Sequence, residues 1–224
     1  VAKMWHQNDH GGGIAWRVKG EDGKVLVHWK KGLTEEEMQT LCAELPMPYI
    51  AHFRIASSGG RIPALCHPFP VDRSVGLALE GTTKGYVLFH NGHWGDWNRF
   101  SLETALKMGR PLPVGNWSDT RAIAWAAHNY GHGILDLIDE KCVVFGPNDL
   151  EVIKGKSGWD LVEDVWCSNK HWEHCHGYTT HDRRHHAGGS TNSFFGKGSS
   201  EASNASSGAS FLSKSEKERD NARR

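Results

Sequence analysis

Large apolar side chains become scarce after Trp172, so whatever core this chain builds must come from the residues before that point. From Glu173 to Arg224 the large hydrophobes are Tyr178, Phe194, Phe195, Phe211 and Leu212, too few to offset the entropy of ordering so long a segment. A His-rich stretch (His174 to His186), a Ser/Gly/Asn stretch (Gly188 to Ser213) and a charged end (Lys214 to Arg224) follow one another there. The expected organisation is a folded domain over 1–172 and a disordered low-complexity tail over 173–224. A short charged helix over Ser213 to Arg224 is expected if a partner captures it.

Before Trp172 the pattern alternates between strands and helices. Gly13 to Val18 and Lys24 to Trp29, separated by Gly20-Glu21-Asp22-Gly23, read as a hairpin. Thr34 with Glu37 forms a capping box ahead of Met38, Leu41, Cys42 and Leu45 at helical spacing, and Pro46 and Pro48 stop that helix. Tyr49 to Ile55 and Gly85 to His90 read as strands, Ser118 to Asn129 as a capped helix, and Cys142 to Phe145 and Leu150 to Ile153 as late strands. This succession predicts an α+β domain with antiparallel sheets.

Composition excludes several classes. The 26 basic residues balance the 26 acidic ones, which removes the broad electrostatic drive toward nucleic acid. In the tail, eight Lys and Arg against six Asp and Glu add little to it. No apolar run approaches a membrane span. Five cysteines at irregular spacing, with no apolar leader, predict reduced thiols in a cytoplasmic protein rather than a disulfide framework. The ten Trp supply large apolar surfaces for a core or an aromatic-walled pocket.

Three segments place polar groups at strand ends beside small residues. In His52-Phe53-Arg54-Ile55-Ala56-Ser57-Ser58-Gly59 a guanidinium precedes hydroxyls and free backbone N–H groups, a combination suited to a carboxylate ligand, although an Arg at a strand end is commonly salt-bridged or solvated. Phe89-His90-Asn91-Gly92 reads first as a turn and second as a pair of donors, the Asn91 amide and the Gly92 N–H, aimed at a developing oxyanion. Trp117-Ser118-Asp119-Thr120 reads as a helix N-cap, with Asp119 also able to hold an ammonium group.

In this order the segments resemble the glutaminase domain of class II glutamine amidotransferases, which are N-terminal-nucleophile hydrolases, and among them the small stand-alone and phage-borne members. The stretch from His52 to Gly59 is similar to the family's His-Thr-Arg-Trp-Ala-Thr-His-Gly, Cys66-His67-Pro68-Phe69 to its Asn-Ala-His-Pro segment, Phe89-His90-Asn91-Gly92 to its His-Asn-Gly segment and Ser118-Asp119-Thr120 to its Ser-Asp-Thr element. Asn8 to Ala15 resembles the Asn-Pro-Asp-Gly-Trp-Gly-Ile-Ala turn and strand of the small members, and Val165 to Asn169 their closing Trp-Tyr-Ser-Asn strand. The likeness runs from Asn8 to about Trp172.

The resemblance implies a four-layer αββα sandwich of mainly antiparallel sheets and the release of ammonia from glutamine or a related γ-glutamyl amide. It needs no cofactor and no metal. In the family a Cys at the start of the mature chain attacks the side-chain amide, its own α-amino group moves the proton, and water hydrolyses the thioester. By the same likeness Asn91 and Gly92 stabilise the oxyanion, Arg54 holds the α-carboxylate, Asp119 holds the α-ammonium, Ser57 and Ser58 line the pocket, and His90 supports the loop. An acceptor for the ammonia would be a partner chain.

The chain departs from the pattern in several places. It begins at Val1, so the nucleophile is not in it. The family places a strand and the start of a helix ahead of this point, and Ala2 to His6 reads as the end of that helix. Ile55 stands for a Trp, Ser58 for a His, and Gln7 for the Arg of larger members. Two other readings stand beside the enzyme: a module that binds glutamine or a related amide without cleaving it, and a zinc module built from Cys167, His171, His174, Cys175, His176, His181, His185 and His186.

Overall fold

The structure, a computed structural model, describes residues 1–153, 155, 158–174 and 209–213, with backbone alone for 173, 174 and 209–213. Strands β1 (Gly12–Lys19) and β2 (Val25–Leu33) pair antiparallel as the expected hairpin. Helix α2 (Glu35–Glu44) starts at the capping box: Thr34 Oγ1 accepts the Glu37 N–H at 3.4 Å and Glu37 Oε2 accepts the Thr34 N–H at 2.7 Å. A short helix α1 (Ala2–Gln7) precedes β1. Strand β3 (Tyr49–Phe53) pairs with the other edge of β1 and ends two residues before the predicted boundary.

After the short strands β4 (Phe69–Pro70) and β5 (Glu80–Thr83), β6 (Val87–Asn91) pairs with β7 (Lys141–Phe145), which pairs with β8 (Leu150–Ile153). Helices α3 (Trp97–Met108), α4 (Asp119–Tyr130) and α5 (Ile134–Ile138) lie between β6 and β7 in the chain. Strands β9 (Asp160–Val162) and β10 (Val165–Cys167) form a final hairpin. The result is an α+β fold with two antiparallel sheets. One runs β5-β2-β1-β3 and continues through β11-β10-β9; the other runs β4-β6-β7-β8.

Strand β11 (Ala209–Ser213) lies between β3 and β10, with Ala209 opposite Phe53 and Ser213 opposite Val165. The disorder expected for the tail concerns residues outside the described set except at 209–213, where the backbone is a strand. Beside it on either side are the ladder edges of β3 and β10, and an edge row of unpaired N–H and C=O groups is satisfied by any segment that extends along it. Of the charged-helix expectation over Ser213 to Arg224, Ser213 ends β11 and the rest falls outside the described residues.

Burial follows the two-residue period of strands. One apolar cluster unites Ala15, Val27, Trp29 and Ile50 of the first sheet with Val87, Phe89, Val143 and Phe145 of the second. The alternate side chains Ile14, Ala51 and Phe53 pack with Met38 of α2 and with Met4 and Trp5 of α1. On the second sheet the alternates Leu88, Cys142 and Val144 pack with Ile123, Ala124 and Trp125 of α4 and Leu135 of α5.

Helix α4 is buried from Asp119 to Ala127, and Arg121 fixes it in place. That guanidinium is 1% exposed and donates to four carbonyl oxygens, those of Val75, Asn116, Ser74 and Val114, while its plane lies 4.7 Å from the Trp117 ring. A buried charge is tolerated when its donors are met in this way. The N-terminus of α4 is thereby held against the ends of β3 and β6.

Candidate functional site

The ends of β3, β6 and α4 enclose a small cavity. Arg54, Ser57, Ser58, His90, Gly92 and Asp119 all line it. Six of the seven residues singled out in the sequence therefore meet at one place. The seventh, Asn91, is half-buried at the end of β6 opposite Lys141 and does not line the cavity. The cause is strand alternation: β6 continues through Asn91 instead of turning, so His90 and Gly92 share one face and Asn91 shares the other with Phe89.

Arg54 continues β3 into a loop. Its backbone N–H donates to Gly11 O at 3.0 Å and its side chain is 4% exposed. Nη1 donates to Gly60 O at 2.8 Å and Nη2 to Ser58 O at 3.0 Å, so the guanidinium also shapes the loop it precedes. Burial lowers its pKa, and the Asp119 charge is among those that partly offset this. Gly59, at φ 76°, brings the loop close to α4: a Cβ there would lie 2.7 Å from the Trp117 carbonyl oxygen. The other side of the loop is held by His10, whose Nδ1 accepts the Ala56 N–H at 2.9 Å.

Asp119 opens α4 after the N-cap Ser118, whose Oγ accepts the Arg121 N–H at 3.3 Å. Its Oδ1 accepts the Thr120 N–H at 2.9 Å, and its Oδ2 accepts the Trp94 N–H at 3.4 Å and lies 3.5 Å from His93 Nδ1. A carboxylate at a helix N-terminus is favoured by the aligned peptide dipoles. The cavity is thus bounded by a buried cation and a buried anion.

Three imidazoles complete the walls. His52, His67 and His90 are each at most 6% exposed, and the rings of His52 and His67 stack with centroids 3.9 Å apart. Thr120 Oγ1 bridges His67 Nε2 at 2.7 Å and His90 Nδ1 at 3.0 Å. Burial, with the nearby Arg54 charge adding to it, pushes the His52 pKa down to about 3. Burial likewise takes His67 well below its ordinary value, so both rings are neutral at physiological pH.

Sequence reading passed over His52, His67 and Thr120 as site residues although each lies in a quoted segment. Their signal is a polar residue at the end of an apolar strand or at a helix start. Glu140, whose carboxylate approaches His90 Nε2 to 3.9 Å, carries no such signal, because the β6–β7 register alone brings it there.

The enclosed space is about 20 Å³, room for about one water molecule. No thiol lines it among the described residues. Cys66 falls between two wall residues, Leu65 and His67, but directs its Sγ toward His10 O at 3.7 Å, and burial raises its pKa. None of the four described cysteines is in a disulfide. Among the described residues no group of three His, Cys, Asp or Glu side chains is placed to hold a metal. The His/Cys cluster of the zinc reading lies mostly outside them. No described helix is long and apolar enough to cross a membrane. Comparison with known proteins found no matching family model, no matching curated protein and no matching solved structure.

Proposed function

We propose that the chain is a glutaminase-type domain of the class II amidotransferase kind, which binds glutamine or a related γ-glutamyl amide and releases ammonia from it through an N-terminal Cys not present in this chain. One observation carries the reading: Arg54 and Asp119, from different elements and each at most 5% exposed, line the same cavity as His90 and Gly92. An α-amino acid needs a cation for its carboxylate and an anion for its ammonium a few Å apart, and an amide hydrolase needs N–H donors at the other end. Arg54 takes the first role, Asp119 the second and the Gly92 N–H the third, while Ser57, Ser58 and His90 shape the walls. Asn91 does not line the cavity, so the oxyanion role rests on the Gly92 N–H.

The order of the apolar clusters, helices α1 and α2 on one sheet, the two sheets on each other, helices α4 and α5 on the second sheet, supports the αββα sandwich of N-terminal-nucleophile hydrolases. A cavity of about 20 Å³ cannot admit an amino acid, so binding requires it to widen. Ammonia released there would serve a partner chain or leave as product. A cytoplasmic location belongs to the same reading.

A second reading, a glutamine-binding module without catalysis, rests on the same meeting of Arg54 and Asp119 at the cavity. Calorimetry with L-glutamine separates the possibilities. Binding that Arg54→Ala and Asp119→Asn each weaken by about tenfold or more supports the pocket assignment. Ammonia release after an N-terminal Cys segment is added selects the enzyme, and binding without release selects the module. Absence of binding refutes both.

A further inference from the structure

The hydrogen bonds around Thr120 determine where the ring protons sit. The His90 backbone N–H donates to His67 Nδ1 at 3.4 Å, so that nitrogen carries a lone pair and the proton of neutral His67 is on Nε2. This Nε2–H donates to Thr120 Oγ1, and the Thr120 hydroxyl in turn donates to His90 Nδ1. His90 therefore carries its proton on Nε2. Protonating the ring adds a proton at Nδ1 and leaves Nε2–H unchanged, so this nitrogen is a donor in either state.

Among the described residues nothing accepts that donor: His90 Nε2 is buried without a hydrogen-bond partner there, and the Glu140 carboxylate oxygen Oε2 stands at 3.9 Å, beyond hydrogen-bond distance. Glu140 directly precedes β7 and comes alongside Gly92, one position past the Asn91↔Lys141 pair. A Cβ on Gly92 would lie 1.9 Å from Glu140 Oε2 and 2.9 Å from His90 Nε2, so the glycine is what lets the three groups converge. Glu140 keeps 23% of its side chain exposed and His90 1%. A fixed donor on the cavity wall and a carboxylate acceptor thus stand next to each other beside Gly92.

A primary carboxamide is the group that matches this pair: its oxygen accepts from His90 Nε2–H and its NH₂ donates to Glu140. A carboxylate can accept from His90 but has no hydrogen for Glu140 and carries a like charge. We propose that His90 and Glu140 form a carboxamide reader that discriminates the amide substrate from the acid product. The proposal rests on the glutamine reading given above and specifies its selectivity. Hydrolysis of glutamine converts the amide, with water, to a carboxylate and ammonia, and the new carboxylate then faces Glu140 and is expelled.

The test uses the full chain, L-glutamine and L-glutamate as probes, and calorimetry. Wild type should prefer glutamine to glutamate by about tenfold or more. In Glu140→Gln, a near-isosteric change at a partly exposed position, the preference should fall to about threefold or less, chiefly because glutamate binds more tightly. Heteronuclear spectra of ¹⁵N-histidine-labelled wild type should show the His90 proton on Nε2. A preference that Glu140→Gln leaves intact, or a His90 proton on Nδ1 with Nε2 bare, overturns the proposal while glutamine binding stands. If neither amino acid binds, the glutamine reading fails, and the carboxamide reader fails with it.

Discussion

Replacing Thr120 with Val removes one hydroxyl and keeps nearly the same volume, so the cost isolates the bridge between two buried histidines. The His67 Nε2–H loses its acceptor and His90 Nδ1 loses its donor, and there is no room for more than about one water to take their place. Each unmet buried group costs about 1–3 kcal/mol, so the two together cost about 2–6 kcal/mol, a large part of the roughly 5–15 kcal/mol that stabilises a domain. In urea, with a mid-range slope of about 2 kcal/mol per molar, the unfolding midpoint should fall by about 1–3 M. Thr120→Ser keeps the hydroxyl and should lose about 1 kcal/mol, the value of one buried methyl group. Thr120→Val in a His67→Phe background should cost less than alone, because one of the two stranded groups has gone. A Val variant that unfolds within about 0.3 M of wild type, or a Ser variant as damaged as the Val, would refute the bridging role assigned to Thr120.

The buried imidazoles predict acid lability. His52 titrates at about 3 in the folded protein and near 6.5 when unfolded, so between those values the unfolded chain binds more protons, and stability, full above about pH 6.5, falls as the pH drops toward 3. His67 adds in the same direction, and the two together should give a slope of up to about 3 kcal/mol per pH unit; a flat urea midpoint from pH 7 to 4.5 would contradict this. Arg121→Leu strands four carbonyl oxygens and should cost about 3–5 kcal/mol, measured by thermal or urea unfolding. Gly92→Ala drives a Cβ into the Glu140 carboxylate and should cost about 1–3 kcal/mol, partly recovered in a Glu140→Ala background; equal losses in both backgrounds would locate the strain elsewhere.

Much of this fold is legible in local chemistry. The β1–β2 hairpin, the Thr34 capping box and the Ser118 N-cap each follow from residues within a few positions of one another, and each forms as those residues dictate. Helix α3 is not legible in the sequence, because Asp96 makes no side-chain cap bond and the long apolar residues Leu102 and Leu106 face solvent, which blurs the helical period. Strand β5 alternates exposed and half-buried residues and is held by pairing with β2 rather than by its own pattern. In the site, charge type with a strand end singles out Arg54 and with a helix start Asp119, and the structure brings them to one cavity. The facing of Asn91 depends on how far β6 extends before it turns. The place of Glu140 depends on register with a strand some fifty residues earlier in the chain, which no local pattern encodes.

The strand order of the larger sheet also sets a timetable for synthesis. β3 and β10 lie on either side of β11, so the sheet is complete only after Ala209–Ser213 has been made, long after β1, β2 and β3 could have paired. A growing chain therefore presents the bare edge of β3, beside the strand end that carries the cavity's histidine and arginine, for most of its elongation. Such an edge is a template for pairing with another nascent copy. Closing it through a strand so distant in sequence is a high-contact-order step, which places final sheet assembly among the slow events of folding.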